Sequence, residues 1–252
     1  MSDSSSIDPR EMAHYERLAA SWWDPTGPFW PLHGLNTFRV SYLRAQLRDH
    51  FNLPDTPTPL AGLSLLDIGC GGGLLSESMA RLGAQVTGVD PVARNIAIAQ
   101  DHAQQSGLSI DYRCQSVESL RQTAPLFDAV LNMEVVEHVE GLDGFMQACA
   151  ERVRPGGLMF VATINRTLLA GFTAIFGAEY VLRWLPRGTH QYRKLRRPSE
   201  VSAALERGGM QVSDQTGVAV SPFTRRFRFT SSLAVNYMLS AQKPKANAGA
   251  VK

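Results

Sequence analysis

Leu65-Leu66-Asp67-Ile68-Gly69-Cys70-Gly71-Gly72-Gly73 decides how the chain folds. An apolar run that ends in an acid and passes into four glycines within five positions reads as a buried parallel strand, a turn and the start of a helix. Glycine there permits positive φ and lets a ligand approach bare N–H groups at a helix N-terminus, whose partial positive charge favours an anion. A plain strand-to-helix turn that binds nothing has the same signature. The dinucleotide spacing G-x-G-x-x-G is met only in part, because its third glycine falls on Leu74, so a bound pyrophosphate is not expected. Downstream, Gln85-Val86-Thr87-Gly88-Val89-Asp90 sets Asp90 at the tip of the next strand, beside the glycine turn. A carboxylate there can accept both hydroxyls of a ribose. With Pro91 behind it, Asp90 can also cap a helix, and the two roles are compatible.

Together with Phe127-Asp128-Ala129-Val130 and Pro155-Gly156-Gly157, these segments resemble the ordered motifs of S-adenosylmethionine-dependent methyltransferases of the Rossmann-like class. The resemblance implies an α/β fold with a doubly wound, mostly parallel seven-stranded sheet and an antiparallel last strand. It further implies an N-terminal helical lid and a helical insertion after the fifth strand. Asp67, Gly69 and Gly71 would border the methionine part of the cofactor, Asp90 the ribose, and Val117, within Ser116-Val117-Glu118, the adenine.

The 252 residues, 44% hydrophobic and 19% charged, suffice for one sizeable core of ordinary soluble composition. A net charge of +2 is too mild to argue for nucleic acid. Three scattered cysteines, Cys70, Cys114 and Cys149, make neither a disulfide framework nor a zinc site and fit a reducing compartment. No signal peptide and no apolar run near the roughly 18 residues of a spanning helix is visible, so the expectation is a cytoplasmic protein.

Before the sheet, residues 9–22 carry apolar side chains at helical spacing, and a second helix is expected after Asn36, a good N-cap. This unit, residues 1–60, would cover a sheet edge or act as a lid that excludes water, with Arg39 reaching the cofactor carboxylate. The main domain is expected over residues 61–242, with helices near 74–82 and 91–106, strands near 109–114, 127–132 and 158–163, and a turn at Arg154-Pro155-Gly156-Gly157. Pro198 opens another helix that Gly208-Gly209 closes, and strands near 210–216 and 234–242 complete the sheet. Residues 243–252 read as a disordered tail.

After the fourth strand comes Met133-Glu134-Val135-Val136-Glu137-His138-Val139. A helical turn there would bring Glu134, Glu137 and His138 onto one face. Two carboxylates and an imidazole at that end of a parallel sheet make either a general base with its orienting partner or a hard-cation site, unless they are merely a solvated helix face. The insertion, residues 166–197, is unusual. Residues 168–185 contain 13 apolar residues of 18, and residues 183–197 hold six Arg or Lys and no acid. Leu168, Leu169, Phe172, Ile175 and Phe176 would share one helical face, which suggests docking on an anionic membrane surface.

Six further segments narrow the resemblance. Ala20-Ser21-Trp22-Trp23-Asp24, Pro31-Leu32-His33, Glu134 to His138, Gly177-Ala178-Glu179-Tyr180, Pro186 to His190 with Lys194, and Val235-Asn236-Tyr237-Met238 resemble, in order, the ubiquinone biosynthesis O-methyltransferases. That family methylates phenolic hydroxyls of polyprenylated catechol-type intermediates with S-adenosylmethionine. The resemblance implies cofactor contacts at Arg39, Gly69, Asp90 and Met133, and a divalent ion such as Mg2+ on Glu134, Glu137 and His138. A phenol mostly protonated at neutral pH calls for either His138 as base with Glu137 orienting it or a cation bound by Glu134 and Glu137. A polyprenylated phenol or quinol substrate, peripheral association with the inner membrane, and a complex with other ubiquinone-pathway proteins would follow.

Overall fold

The structure is a computed structural model that describes residues 18–27, 29–122, 125–167, 170, 192–221 and 226–245. The sheet is built from β1 (Ser64–Ile68), β2 (Gln85–Asp90), β3 (Asp111–Cys114), β4 (Phe127–Met133), β5 (Val153–Ile164), β6 (Gln211–Val220), β7 (Phe227–Thr230) and β8 (Asn236–Gln242). Its order is β3-β2-β1-β4-β5-β8-β6-β7. The first five strands run parallel, and β8, β6 and β7 are joined antiparallel. The helices are α1 (Trp30–Phe51), α2 (Leu74–Arg81), α3 (Ala93–Gln105), α4 (Leu142–Arg152) and α5 (Pro198–Arg207). Strand order reverses between β1 and β4, so the crevice beyond their carboxyl ends is where such a sheet receives a ligand.

The central strands are apolar on both faces because helices cover both. All seven residues of β4 are buried, and Leu65 and Leu66 of β1 are fully so. One core lies under α4 and α5, with Phe145, Met146, Val201 and Leu205 against Leu66, Val130 and Met159. The other lies under α1, where Leu35, Tyr42, Leu43 and Leu47 recur at helical spacing and meet Leu65, Leu131 and Phe160. A leucine as enclosed as Leu43 or Leu47 stabilises by about 1.5–3 kcal/mol.

Several expectations are corrected. An eighth strand, β7, adds to the seven expected; Phe227, Arg228, Phe229 and Thr230 alternate apolar and polar in sequence and pair antiparallel with Gly217 to Val220 as an edge strand. α1 begins at Trp30, before Asn36, because Pro31 in the first turn presets φ for a helix. Asn36 caps nothing and instead donates to Ser78 Oγ at 2.9 Å and to the Leu74 carbonyl at 3.3 Å. α1 lies across a face of the sheet and reaches its edge strand β7, where Phe38 meets Phe227 and Phe229. Arg154 to Gly157 form the bulged entry of β5, not a separate turn. Lys243 is no tail residue: its ammonium donates to the Ala150 and Val153 carbonyls at 2.9 and 2.8 Å. The helix expected from residue 9 lies outside the described residues up to its last turn, as does most of the insertion. Among the described residues, no helix is long and apolar enough to cross a membrane.

Candidate active site

The glycine turn leaves β1 with positive φ at Gly69 (66°) and Gly71 (53°), a region that L side chains rarely adopt. Space forbids a side chain as well. A Cβ at Gly69 would lie 2.6 Å from the Val135 side chain, and one at Gly71 would lie 2.5 Å from the Trp22 ring. The turn is therefore pressed between the loop after β4 and the N-terminal segment. Its Gly71 N–H donates to Asp90 Oδ2 at 3.0 Å. Asp90 Oδ1 accepts from the Val92 N–H at 2.8 Å and from Asn95 Nδ2 at 3.2 Å. Val92 is the N-cap of α3, so Asp90 closes a turn ahead of the helix and does not cap it.

Burial raises the pKa of Asp90 above the ordinary carboxylate range, and the two backbone bonds oppose the shift. Asp67, 3% exposed, accepts from Ser76 Oγ at 2.6 Å. Burial pushes its pKa up to about 7, against the pull of Ser76 and of the nearby Arg39. Arg39 reaches from α1 over the end of β4 and pairs with Glu134. Met133 is the last residue of β4, and Val117 belongs to the core under α4, 2% exposed.

After Met133 the chain forms no helix. Glu134 takes φ of 60°, its N–H bonds to the Ala162 carbonyl at 2.8 Å, and a turn closes from the His138 N–H to the Val135 carbonyl at 2.8 Å. The helical face expected for Glu134, Glu137 and His138 is therefore not formed, although the Glu134 and Glu137 carboxylates remain neighbours. Glu134 turns to Arg39, while Glu137, 2% exposed, accepts from Thr163 Oγ1 at 2.7 Å. Burial, and next the charge of Glu134, raise the pKa of Glu137. His138 is half-buried. Among the described residues, no three His, Cys, Asp or Glu are grouped to hold a metal ion, and Mg2+ has no fitted site here.

Residues not singled out individually complete the site. Trp22 stacks on Phe29 with ring centroids 3.9 Å apart, and its Nε1 donates to Asn95 Oδ1 at 2.9 Å. Trp23 Nε1 donates to the Gly72 carbonyl at 2.9 Å, and its ring stacks on His102. Arg196, expected to face lipid, instead donates to the Val136 and Val139 carbonyls at 3.2 and 2.8 Å and pins the loop after β4. The paired tryptophans were visible as a motif. Their partners were not, because nothing in local spacing links residue 22 to residue 95.

The fold and this arrangement of loops define an α/β methyltransferase, and residues 66–161 match the family model described as a methyltransferase domain. A ubiquinone biosynthesis O-methyltransferase of Sinorhizobium fredii is 55% identical over 241 residues, 95% of this chain and 97% of the relative. One of Brucella anthropi is 55% identical over the same shares, and one of a Chelativorans species is 54% identical over 97% of both chains. The chain belongs to the ubiquinone biosynthesis O-methyltransferase family. Among solved structures, the magnesium protoporphyrin IX methyltransferase of Synechocystis with bound SAH shares the fold, with a TM-score of 0.65 and 20% identity over 92% of this chain and 94% of that one.

Proposed function

We propose that the protein transfers the methyl group of S-adenosylmethionine to a phenolic hydroxyl of a polyprenylated catechol-type acceptor. The observation that carries this is the contact of two loops at adjacent strand ends, Gly69 against Val135. It supports a nucleoside site at the glycine turn, since that turn then lies beside a loop that bears His138. Asp90 accepts the ribose hydroxyls, Gly69 and Gly71 admit the methionine part, and Asp67 supports the turn through Ser76. Val117 borders the adenine with its main chain, and Met133 lines the end of β4. Arg39 has donors beyond the one given to Glu134 and uses them on the cofactor carboxylate.

Methyl transfer from a sulfonium is an in-line displacement, so the acceptor oxygen must lie opposite the leaving sulfur and lose its proton. A phenol has a pKa near 10 and is mostly protonated at neutral pH, which gives a base its task. His138 fills that role. A magnesium ion at the same place would have to share Glu134 with Arg39 and Glu137 with Thr163, whereas the base makes no such demand. Mass spectrometry after incubation with S-adenosylmethionine and a short-chain prenyl catechol should show a methyl ether. Methylation only of unprenylated acceptors would overturn the substrate class.

Residues 168–197 dock the protein on anionic lipid, where a long-tailed acceptor resides. Basic residues near such a surface contribute on the order of 1 kcal/mol each. Arg196 is excluded from that sum by its carbonyl contacts. Liposome flotation should carry the wild type up with anionic vesicles, and Phe172→Glu/Phe176→Glu should leave it at the bottom. Changing Arg183, Arg187 and Arg197 to Gln should weaken the recovery. Equal recovery of all variants at the bottom would remove the membrane role.

A further inference from the structure

We propose that Trp22 is a positioning residue for the cofactor: its indole N–H fixes the Asn95 amide, which in turn holds the Asp90 carboxylate in its ribose-accepting orientation. The donors decide the direction of this chain. An indole N–H can only donate, so the group of Asn95 that faces it at 2.9 Å must be the carbonyl oxygen. The NH2 group then has to face Asp90, where it donates to Oδ1 at 3.2 Å. Were the amide free to turn over, its oxygen would meet the carboxylate oxygen and repel it.

Water cannot take over either bond easily, because Trp22 is 8% and Asn95 2% exposed. The indole is itself held. Phe29 stacks on it, the Trp22 carbonyl contacts His33 Nε2 at 2.9 Å, and Gly71 and Gly72 leave room for nothing larger beneath it. The N-terminal segment thus reaches the ribose acid through Asn95, at the oxygen that the Gly71 N–H does not hold. Asp90 is gripped by the backbone donors of Gly71 and Val92 and, on the oxygen that Val92 also holds, by an amide relayed from the segment that covers the turn.

This inference rests on Asp90 as the ribose acceptor, and the variants separate the two. Trp22→Phe keeps the stack on Phe29 and removes only the N–H. It should weaken S-adenosylmethionine binding about 3- to 10-fold, the net range of one hydrogen bond, while kcat at saturating cofactor stays within about twofold. Asn95→Leu should weaken it at least as much. Adding Trp22→Phe to Asn95→Leu should then cost nothing further, because the two residues act in series. Adenosine, which has the ribose and no methionine part, should lose the same factor in Trp22→Phe. That comparison stands even if the Asn95 variant does not fold. Unchanged affinity in Trp22→Phe, additive losses in the double variant, or a loss confined to ligands with a methionine part would each overturn the relay. If Asp90→Ala also binds normally, the ribose assignment itself has failed; if only Trp22→Phe does, the relay alone has.

Discussion

Replacing His138 with alanine should lower kcat by about 100-fold or more, the lower range of what a positioned base contributes. Cofactor affinity should hardly move, since the imidazole acts only once the phenol is in place. His138 sits on the turn that ends β4, and the Val136 and Val139 carbonyls on either side of it are held by Arg196. These two contacts hold the loop from Arg196, and the variant keeps both. Raising the pH toward the phenol's own pKa near 10 should restore part of the rate, because solvent then removes the proton unaided. A variant that turns over normally would remove His138 from catalysis. Thorough chelation supplies the other discrimination: the rate should survive it, and a loss reversed by Mg2+ would reassign the loop to a cation held by rearranged Glu134 and Glu137.

Asp90→Ala should weaken S-adenosylmethionine binding by about 10- to 150-fold, the 1.5–3 kcal/mol of hydrogen bonds to a charged acceptor. Calorimetry on a folded variant measures this directly. The carboxylate also holds the Gly71 and Val92 N–H groups, so part of the loss arises from a loosened turn. Asp90→Asn keeps the shape and one acceptor oxygen, and should fall between wild type and alanine. The pH dependence has a definite sign. Burial raises the Asp90 pKa above its ordinary 3.8, so on acidification the acceptor is lost at a higher pH than a surface aspartate would lose it. Affinity in the wild type should decline with falling pH before the protein unfolds, and the decline should be absent in Asp90→Asn. Unchanged affinity in folded Asp90→Ala would sink the ribose assignment.

The glycine turn, the acid after β2 and the central strands were legible because each answers a local demand. A strand buried on both faces must be apolar throughout, and a turn where an added Cβ would lie 2.6 Å from a neighbouring side chain must be glycine. The loop after β4 was misread for an equally physical reason. Its Glu-x-x-Glu-His spacing suits a helix, yet Glu134 adopts the left-handed conformation, which a glutamate rarely does and which no pattern of charges announces. The companion of Glu134 is Arg39, 95 residues away. That of Trp22 is Asn95, 73 residues away, and that of Glu137 is Thr163 on the neighbouring strand β5. Such pairs exist only after the sheet has assembled. The eighth strand escaped notice because four residues of alternating character are too short a signal to stand out beside a loop.

The sheet ends in two outer strands, β3 on one side and β7 on the other, each only four residues long. β3 carries the exposed Asp111–Arg113 ion pair at 2.6 Å, and β7 carries Arg228 between its two phenylalanines. Short, charged rims offer a poor template to a second chain seeking to extend the sheet. Without β7, the ten-residue β6 would form that rim instead, with Gly217, Val218, Ala219 and Val220 presenting unpaired backbone over an apolar stretch. With β7 in place these four residues are paired, and the apolar end of β6 is withdrawn from any second chain.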